Sequence, residues 1–441
     1  MSGPGGSHFE VRTHDWLSVS EANSRILTAA GETNAERVAV PEALGRALAE
    51  DLRASATLPP WDNSAMDGYA VRGDDVEGAS PSTPVLLDVT GRIAAGEPPG
   101  ISVGIGEAVR IMTGAPLPAG ADSVVRVEDT DAESEPGTVR ILGDRDRGRN
   151  VRPAGEDMAV GDLVLRAGES VHPGTVGVLY ALGKDHVLCA RRPVVAIVST
   201  GDELRPPERY DEVRAGTGVP ESNGPMLAAA VTEAGCVPMY LGVAADDPAD
   251  LQKHLEAAAA ADVLITVGGA SVGEADLVKR VLEDMSFKLD FWRARVRPGS
   301  PISFGLLPRE ADGAQPVFGL PGNPASSFVT FELFVRPFLR RLAGHDRIHR
   351  PVVRCLAGDP LSARKGLLYA LRVRVDPSTS PPTARATGPQ GSGLVQSMSA
   401  ADGLALIPED DEGAAVGQQV DVMLLGGGFH AAEGHRSPAP S

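Results

Sequence analysis

Residues 261–279 read ADVLITVGGASVGEADLVK, and this stretch decides the fold. Val263, Leu264, Ile265, Thr266 and Val267 form an apolar run between an acid and a glycine pair, the pattern of a buried strand. Gly268, Gly269 and Gly273 follow, with Ser271 between them. Residues 274–283 place Leu277, Val278, Val281 and Leu282 on one face of a helix that also carries Lys279. A strand, a glycine loop and a helix start together aim unpaired backbone N–H groups at an anion. The glycines permit close backbone approach and positive φ. Glu274 and Asp276 stand at the helix mouth, where a phosphate alone would gain nothing from acids. A divalent cation between acid and phosphate supplies the missing partner. The alternative is a plain glycine turn with an acidic helix start stabilised by the helix dipole.

Outward from this stretch, strands and helices alternate. Residues 194–200 read as a strand ending in Gly201, Asp202 and Glu203, and 222–234 as a helix stopped by Gly235. A strand at 238–243 and a helix at 248–260 lead into the central strand. Strands are expected at 291–297 and 301–307. A last strand at 317–320 runs through Pro321, Gly322, Asn323 and Pro324 into a helix over 325–342. This alternation predicts a parallel, doubly wound α/β sheet, which binds ligands beyond the carboxyl ends of its strands. Those ends carry Asp202 and Glu203, the glycine loop, the run from Arg297 to Ser300, and the Pro-Gly-Asn-Pro loop. Four polar loops on one edge favour a ligand site over a chance glycine turn.

The flanks read differently. Residues 18–30 predict a helix opened by Ser18 with Glu21 three residues on, and 38–54 a second with Pro41 in its first turn. The loop PPWDNSAMDG, residues 59–68, crowds short polar side chains that are costly to bury unless they bond one another or a ligand. Glycine-punctuated β sequence follows to about residue 142, including a strand that ends in Thr113 and Gly114. Glu156 and Asp157 fall in a turn, and 175–182 reads as helical. The expected domains are 9–54 with 145–190, elongated; 55–144, an inserted β module; 191–345, the α/β domain; and 350–427, a C-terminal β-barrel or sandwich. Residues 428–441 read as a disordered tail.

A chain of 441 residues fits about three domains of ~150 residues. A net charge of −18 argues against nucleic acid as a partner, so positive charge for an anionic ligand must be local. No run of ~20 apolar residues predicts a membrane span, and MSGPGGSH does not have the shape of a secretory signal. Cys189, Cys236 and Cys355 lack metal-ligand spacing and suit a reducing cytoplasm.

The motifs PPWDNSAMDGYAVR, RIMTGAPLP, RPAGED, STGDEL, SNGPML, GGASVGEADLVK and GLPGNPAS occur together and in order. The set resembles the molybdopterin molybdenumtransferases, the MoeA and gephyrin E-domain family, over residues 16–425. The resemblance implies a cytoplasmic homodimer whose subunits join an elongated N-terminal domain, an inserted β module, a doubly wound α/β domain of molybdopterin-binding type and a C-terminal β-barrel. Its cleft would lie between the α/β domain of one subunit and the β module of the other. It further implies that adenylylated molybdopterin, supplied by an upstream adenylyltransferase, is cleaved with Mg2+ while molybdate enters the dithiolene and AMP leaves.

Site residues carry over position by position. Glu203, Asp276 and Asp202 suit Mg2+ coordination, with a turn or cap role as the alternative for Asp202. Asp67 and Thr113 resemble the acid and hydroxyl brought by the second subunit, or else a turn pair, and Asp157 belongs with them. Gly268, Gly269, Ser271, Gly273 and Lys279 are expected on the phosphate side. Pro321, Asn323, Pro324 and Ser326 shape the last loop, and Arg372 and Ser397 resemble positions that hold molybdate. Arg293, Arg295 and Arg297 alternate, which on a strand puts them on one face, as an anion site or a solvated edge. The family usually has Lys-Pro-Gly-Lys-Pro where Arg297 to Pro301 stand, so Ser300 lacks a charge; lysine is usual at Arg293 and aspartate at Glu221. These departures leave a retuned anion site as the expectation, and a less active paralogue that binds molybdopterin or acts as a scaffold as the alternative. A dinucleotide oxidoreductase is disfavoured because the loop lacks the G-x-G-x-x-G spacing.

Overall fold

The computed structural model of the chain describes residues 16–31, 34–97, 100–268, 275–309 and 313–426, with the side chains of Ala275 and Asp276 left out. The expected tail at 428–441 lies outside them. The chain divides into two compact units. One comprises the chain up to Glu50, residues 167–176 and everything from Asp185 on; the other comprises 51–166 and 177–184.

The first unit is organised on a six-stranded sheet. Its strands are β1 (Val194–Thr200), β2 (Val237–Ala244), β3 (Val263–Val267), β4 (Lys288–Phe291), β5 (Ser303–Pro308) and β6 (Ala314–Leu320), in spatial order β2-β1-β3-β6-β5-β4. The four strands β2, β1, β3 and β6 run parallel, while β5 is antiparallel to both β6 and β4. The sheet is therefore mixed at one edge rather than wholly parallel, because Ser303–Pro308 and Ala314–Leu320, consecutive in the chain, pair antiparallel. Along β1 successive residues serve opposite faces. Val195 and Ile197 pack in one core with Leu227, Val231 and Phe334; Ala196 and Val198 pack in the other with Leu251, Leu255 and Leu282. Burying each of the Val, Leu and Ile side chains contributes about 1.5–3 kcal/mol, so the two-sided burial fixes both strand register and helix placement.

Helices Asn223–Glu233, Pro248–Ala257 and Ala275–Asp284 cover the faces. The last helix, over 324–342, contains a wide π-turn at Phe331–Val335, in which the Arg336 N–H reaches back to the Phe331 carbonyl. Pro337 follows directly. It has no N–H to give and crowds the carbonyl four residues back, which the wide turn accommodates.

The same unit carries a closed barrel. Val352–Ala357, Leu368–Asp376, Thr383–Ala386, Gly403–Ile407 and Gln419–Leu424 pair in a ring, because Leu368–Asp376 bonds both Thr383–Ala386 and Gly403–Ile407. The ring covers most strand edges, and the edge that Thr383–Ala386 leaves open at Leu368 and Tyr369 is taken by Val296–Arg297.

The second unit holds a five-stranded sheet of Ser123–Arg126, Gly68–Val71, Glu107–Ile111, Val85–Ile93 and Thr138–Ile141, in that spatial order.

Two local expectations fail. Residues 38–54 are not a helix: Ala35–Ala39 is a strand paired with His186–Ala190, Val40–Ala43 a short 3-10 turn, and Gly45 turns the chain at φ +78°. Tertiary pairing of Val38 with Val187 overrides the helical spacing. Residues 291–297 are not one strand either. β4 ends at Phe291, and Val296–Arg297 pairs instead with Leu368 and Tyr369 of the barrel. The three arginines therefore do not share a strand face.

Candidate active site

Beyond the carboxyl ends of β1, β3 and β6 lies a cleft of about 990 Å³, lined among others by Thr200, Glu203, Glu221, Asn223, Gly268 and the 321–324 loop. Backbone geometry makes its floor. Gly268 has φ +103°, and a Cβ there would sit 2.6 Å from the Thr200 carbonyl oxygen, so only glycine fits. Gly269, Ser271, Gly273 and the Asp276 side chain lie outside the described residues. Lys279 forms an ion pair with Glu283 at 3.6 Å and stands 6.0 Å from the centre of the Trp292 ring.

The Pro-Gly-Asn-Pro loop is fastened from several sides. The Ser327 hydroxyl donates to the Pro321 carbonyl, and the Asn223 amide donates to the Gly322 carbonyl at 2.6 Å. The Ala325 N–H donates to the Ser392 carbonyl in the barrel at 2.9 Å. Asn323 stands at the N-cap of its helix without spending its side chain on a capping bond. With Pro321, Pro324 and Ser326 it faces the cleft.

The acids differ in freedom. Glu203 is exposed and lines the cleft. Asp202 is partly committed: its Oδ1 accepts from the Asp246 N–H at 3.1 Å, and its own N–H donates to Asp246 Oδ2 at 3.2 Å. This reciprocal pair is a turn clamp, and among the described residues no hydrogen bond falls on Asp202 Oδ2. Glu203 with that oxygen is a hard-oxygen donor set of the kind a small divalent cation prefers. Among the described residues no group of three or more His, Cys, Asp or Glu gathers into a ready-made cation cage. Glu221 is buried; its Oε1 accepts from the Ser199 hydroxyl at 2.9 Å and the Gly224 N–H at 2.6 Å. Burial, together with the negative charge of Glu221, pushes the Tyr240 phenol up to about 12.

A second compartment of about 770 Å³ shares Pro301 and Ser326 with the first, and is lined also by Trp16, Arg297, Ser300, Tyr369 and Gln390. Arg297 is exposed there. Arg293 lies over the Trp16 ring at 5.1 Å, while Arg295 is tied to Glu409 and to the Trp16 carbonyl. The Ser300 hydroxyl donates to the Val296 carbonyl at 2.6 Å, so it holds its own turn.

Arg372 is fully buried in the barrel. Its Nε donates to the Ser397 hydroxyl at 3.0 Å and its Nη2 to the Gly391 carbonyl at 2.9 Å, while Nη1 has no partner. Burial alone pulls this guanidinium below its ordinary value, with no carboxylate opposing the shift. The structure thus brings Arg372 and Ser397 into contact and leaves the cation without a counter-charge among the described residues.

In the second unit Asp67 Oδ1 accepts from both the Thr113 N–H at 2.7 Å and the Thr113 hydroxyl at 2.8 Å. Those two bonds, with the charge of Arg110, hold the Asp67 carboxyl below its usual range. Asp157 is exposed, and its N–H is spent on the Leu58 carbonyl.

Sequence reasoning gave no role to Asp246, Trp16 or Asn223. The signal for Asn223 was available, as a short polar pair with Ser222 at a helix start that faces the carboxyl edge of the sheet.

Comparison with known proteins agrees with this architecture. Residues 17–183 match the MoeA N-terminal region (domain I and II), residues 196–341 a probable molybdopterin binding domain, and residues 354–425 the MoeA C-terminal region (domain IV). The chain is 36% identical over 394 residues to molybdopterin molybdenumtransferase 2 of Mycobacterium tuberculosis, covering 88% of this chain and 94% of that one. It is 32% identical over 415 residues to the molybdopterin molybdenumtransferase of Staphylococcus aureus, covering 94% and 97%. The crystal structure of a molybdopterin biosynthesis moeA protein from Pyrococcus horikoshii superposes with a TM-score of 0.79 at 29% identity, covering 93% of this chain and all of that one. The chain belongs to the MoeA family of molybdopterin molybdenumtransferases, transferases of molybdenum cofactor biosynthesis.

Proposed function

We propose that this transferase takes adenylylated molybdopterin and molybdate, cleaves the adenylate in the presence of Mg2+, places molybdenum on the dithiolene and releases AMP. The observation that carries the reading is Arg372, a buried guanidinium with an unpartnered Nη1 and no carboxylate. An isolated buried charge is costly, and an arriving oxyanion offsets that cost. Arg372 and Ser397 hold molybdate in this reading, with Arg297 and Ser300 at the neighbouring compartment. Arg293 supports that wall through Trp16.

On the other side, Gly268 with Gly269, Ser271 and Gly273 would seat the pyrophosphate, and Lys279 adds positive charge nearby. Glu203, Asp202 and Asp276 would hold Mg2+, which when bound neutralises phosphate charge and polarises the bond to be broken. The loop of Pro321, Asn323, Pro324 and Ser326 positions the substrate between the two. Asp67, held in its ionised form by its bonds to Thr113, and Asp157 belong to the catalytic set as residues that the second subunit of a homodimer would bring. A homodimer in the cytoplasm, supplied by a molybdopterin adenylyltransferase, belongs to the same reading. Among the described residues no helix is long and apolar enough to cross a membrane.

The test is AMP release from adenylylated molybdopterin with Mg2+ and molybdate. Glu203→Gln is expected to abolish Mg2+-dependent release while molybdopterin still binds. A wild-type protein that binds molybdopterin yet releases no AMP would instead be a binding or scaffold protein.

A further inference from the structure

We propose that Glu221 and Asn223 form a hydrogen-bond-accepting subsite that reads the amino edge of the pterin, its 2-amino group and adjacent ring N–H. The inference rests on the reading above, in which a pterin substrate occupies the cleft.

Glu221 is 7% exposed and Asn223 6% exposed, and both line the large cleft at the start of the helix Asn223–Glu233. Each presents one oxygen with no partner, Glu221 Oε2 and Asn223 Oδ1. The other side-chain polar atom of each is already bonded. Glu221 Oε1 receives the Ser199 hydroxyl and the Gly224 N–H, and Asn223 Nδ2 donates to the Gly322 carbonyl. That carbonyl can only accept, so it fixes the orientation of the Asn223 amide and leaves Oδ1 as an acceptor. Thr200 Oγ1 turns away to the Val267 carbonyl, while the Tyr240 hydroxyl lies within hydrogen-bonding reach of the Ser199 and Glu221 side chains, its ring held against Gly224, where a Cβ would meet it at 2.3 Å. An unsatisfied buried acceptor is costly, and here two stand two residues apart.

The chemistry of the missing partner follows. Phosphate and molybdate offer only acceptor oxygens and are repelled by this pair. A ligand edge with adjacent N–H donors matches it. The pyrimidine ring of a pterin has that edge, whereas adenine sets one amino group beside a ring acceptor. Anions are therefore drawn to the glycine loop and to Arg372, and the donor edge to Glu221 and Asn223, which gives one extended substrate a single direction in the cleft.

The experiment is a fluorescence titration of the full-length protein with 6-hydroxymethylpterin, with 6-hydroxymethyllumazine (in which a carbonyl replaces the 2-amino group), and with AMP. Wild type is expected to prefer the pterin by about tenfold or more. Glu221→Gln should reduce that preference to within about threefold and leave AMP affinity unchanged, which also reports an intact fold. Tyr240→Phe should keep the preference. The subsite is overturned if Glu221→Gln discriminates as well as wild type, or if it loses AMP affinity instead, which would assign the donors to the adenylate. It is equally overturned if Tyr240→Phe abolishes the preference, which would make Glu221 an internal anchor. A wild type that releases AMP yet does not distinguish the two ligands sinks the subsite alone; one that neither binds pterin nor releases AMP sinks the functional reading with it.

Discussion

Two buried arginines in the first unit make a useful contrast. Arg350 lies against Glu332 and Glu233, with Nε–Oε2 at 2.6 Å to Glu332 and Nη2–Oε2 at 2.7 Å to Glu233. Burial pulls its guanidinium down, but the two carboxylates overcome that and hold it above its ordinary value. Arg372 is buried more deeply still, with a hydroxyl and a carbonyl for side-chain partners and nothing to oppose the downward pull. The chain therefore neutralises one buried cation internally and leaves the other for something that arrives. The first arrangement is architecture and the second is a receptor, although composition and burial alone would not separate them.

The contrast can be broken most severely at Glu332, whose side chain is fully buried. Glu332→Ala is expected to cost about 3–5 kcal/mol, because it strips a buried ion pair of one partner and leaves Arg336 and Arg350 facing each other. Guanidinium unfolding reads this directly; a loss under about 1 kcal/mol would place the network with ordinary surface pairs. Arg372→Met should behave in the opposite way. Replacing an uncompensated buried charge by an apolar side chain should leave stability level or higher. The molybdate needed for half-maximal AMP release should nevertheless rise about tenfold to more than a hundredfold, the equivalent of ~1.5–3 kcal/mol. A destabilised variant with unchanged molybdate dependence would move Arg372 into the same class as Arg350.

The smallest effect sharpens the architectural side. His345, hydrogen-bonded to Ser170 at 2.8 Å, is lowered to about 3 by burial and by the charges of Arg340 and Arg336. Below the ordinary histidine value of about 6.5 the unfolded chain takes up a proton that the native chain refuses. The stability is complete above that pH and declines as pH falls toward 3, by about 2 kcal/mol at pH 5. Unfolding curves at pH 7 and pH 5 should show this, and His345→Gln should remove the difference. A wild type equally stable at both would mean that the imidazole is protonated in the fold.

Much of this was legible in the sequence. Ser18 and Glu21 announce a capping box, and both of its bonds form at the helix Val19–Thr28. The apolar run at 263–267 is the central strand, buried at every position. Thr113 and Asp67 lie far apart in sequence, and Arg372 and Ser397 are separated by the length of a strand and its loop, yet family resemblance pointed to both pairs and each proves to be in contact. What the sequence hid was decided by distant partners. The alternating arginines at 293–297 mimic an amphipathic strand, but Trp16 and Glu409 claim two of them from opposite ends of the chain. The helical spacing of 38–54 yields to pairing with residues 186–190. The unpartnered oxygens of Glu221 and Asn223 could not be foreseen either, because an orphan is defined by what fails to surround it.

The wide turn at Phe331–Val335 bears on all of these sites through angle. In an α-helix each residue advances about 100°, and a π-turn inserts one extra residue into that count. The helix begins with Pro324 and Ser326 at the cleft, and from Glu332 onward it presents the acid and arginine of the buried ion network. The turn acts as an indexing step between these two duties. Removing one residue from it would restore a regular spiral and swing everything beyond it by roughly 100°, so the loop could keep its place or the ion network could, but not both.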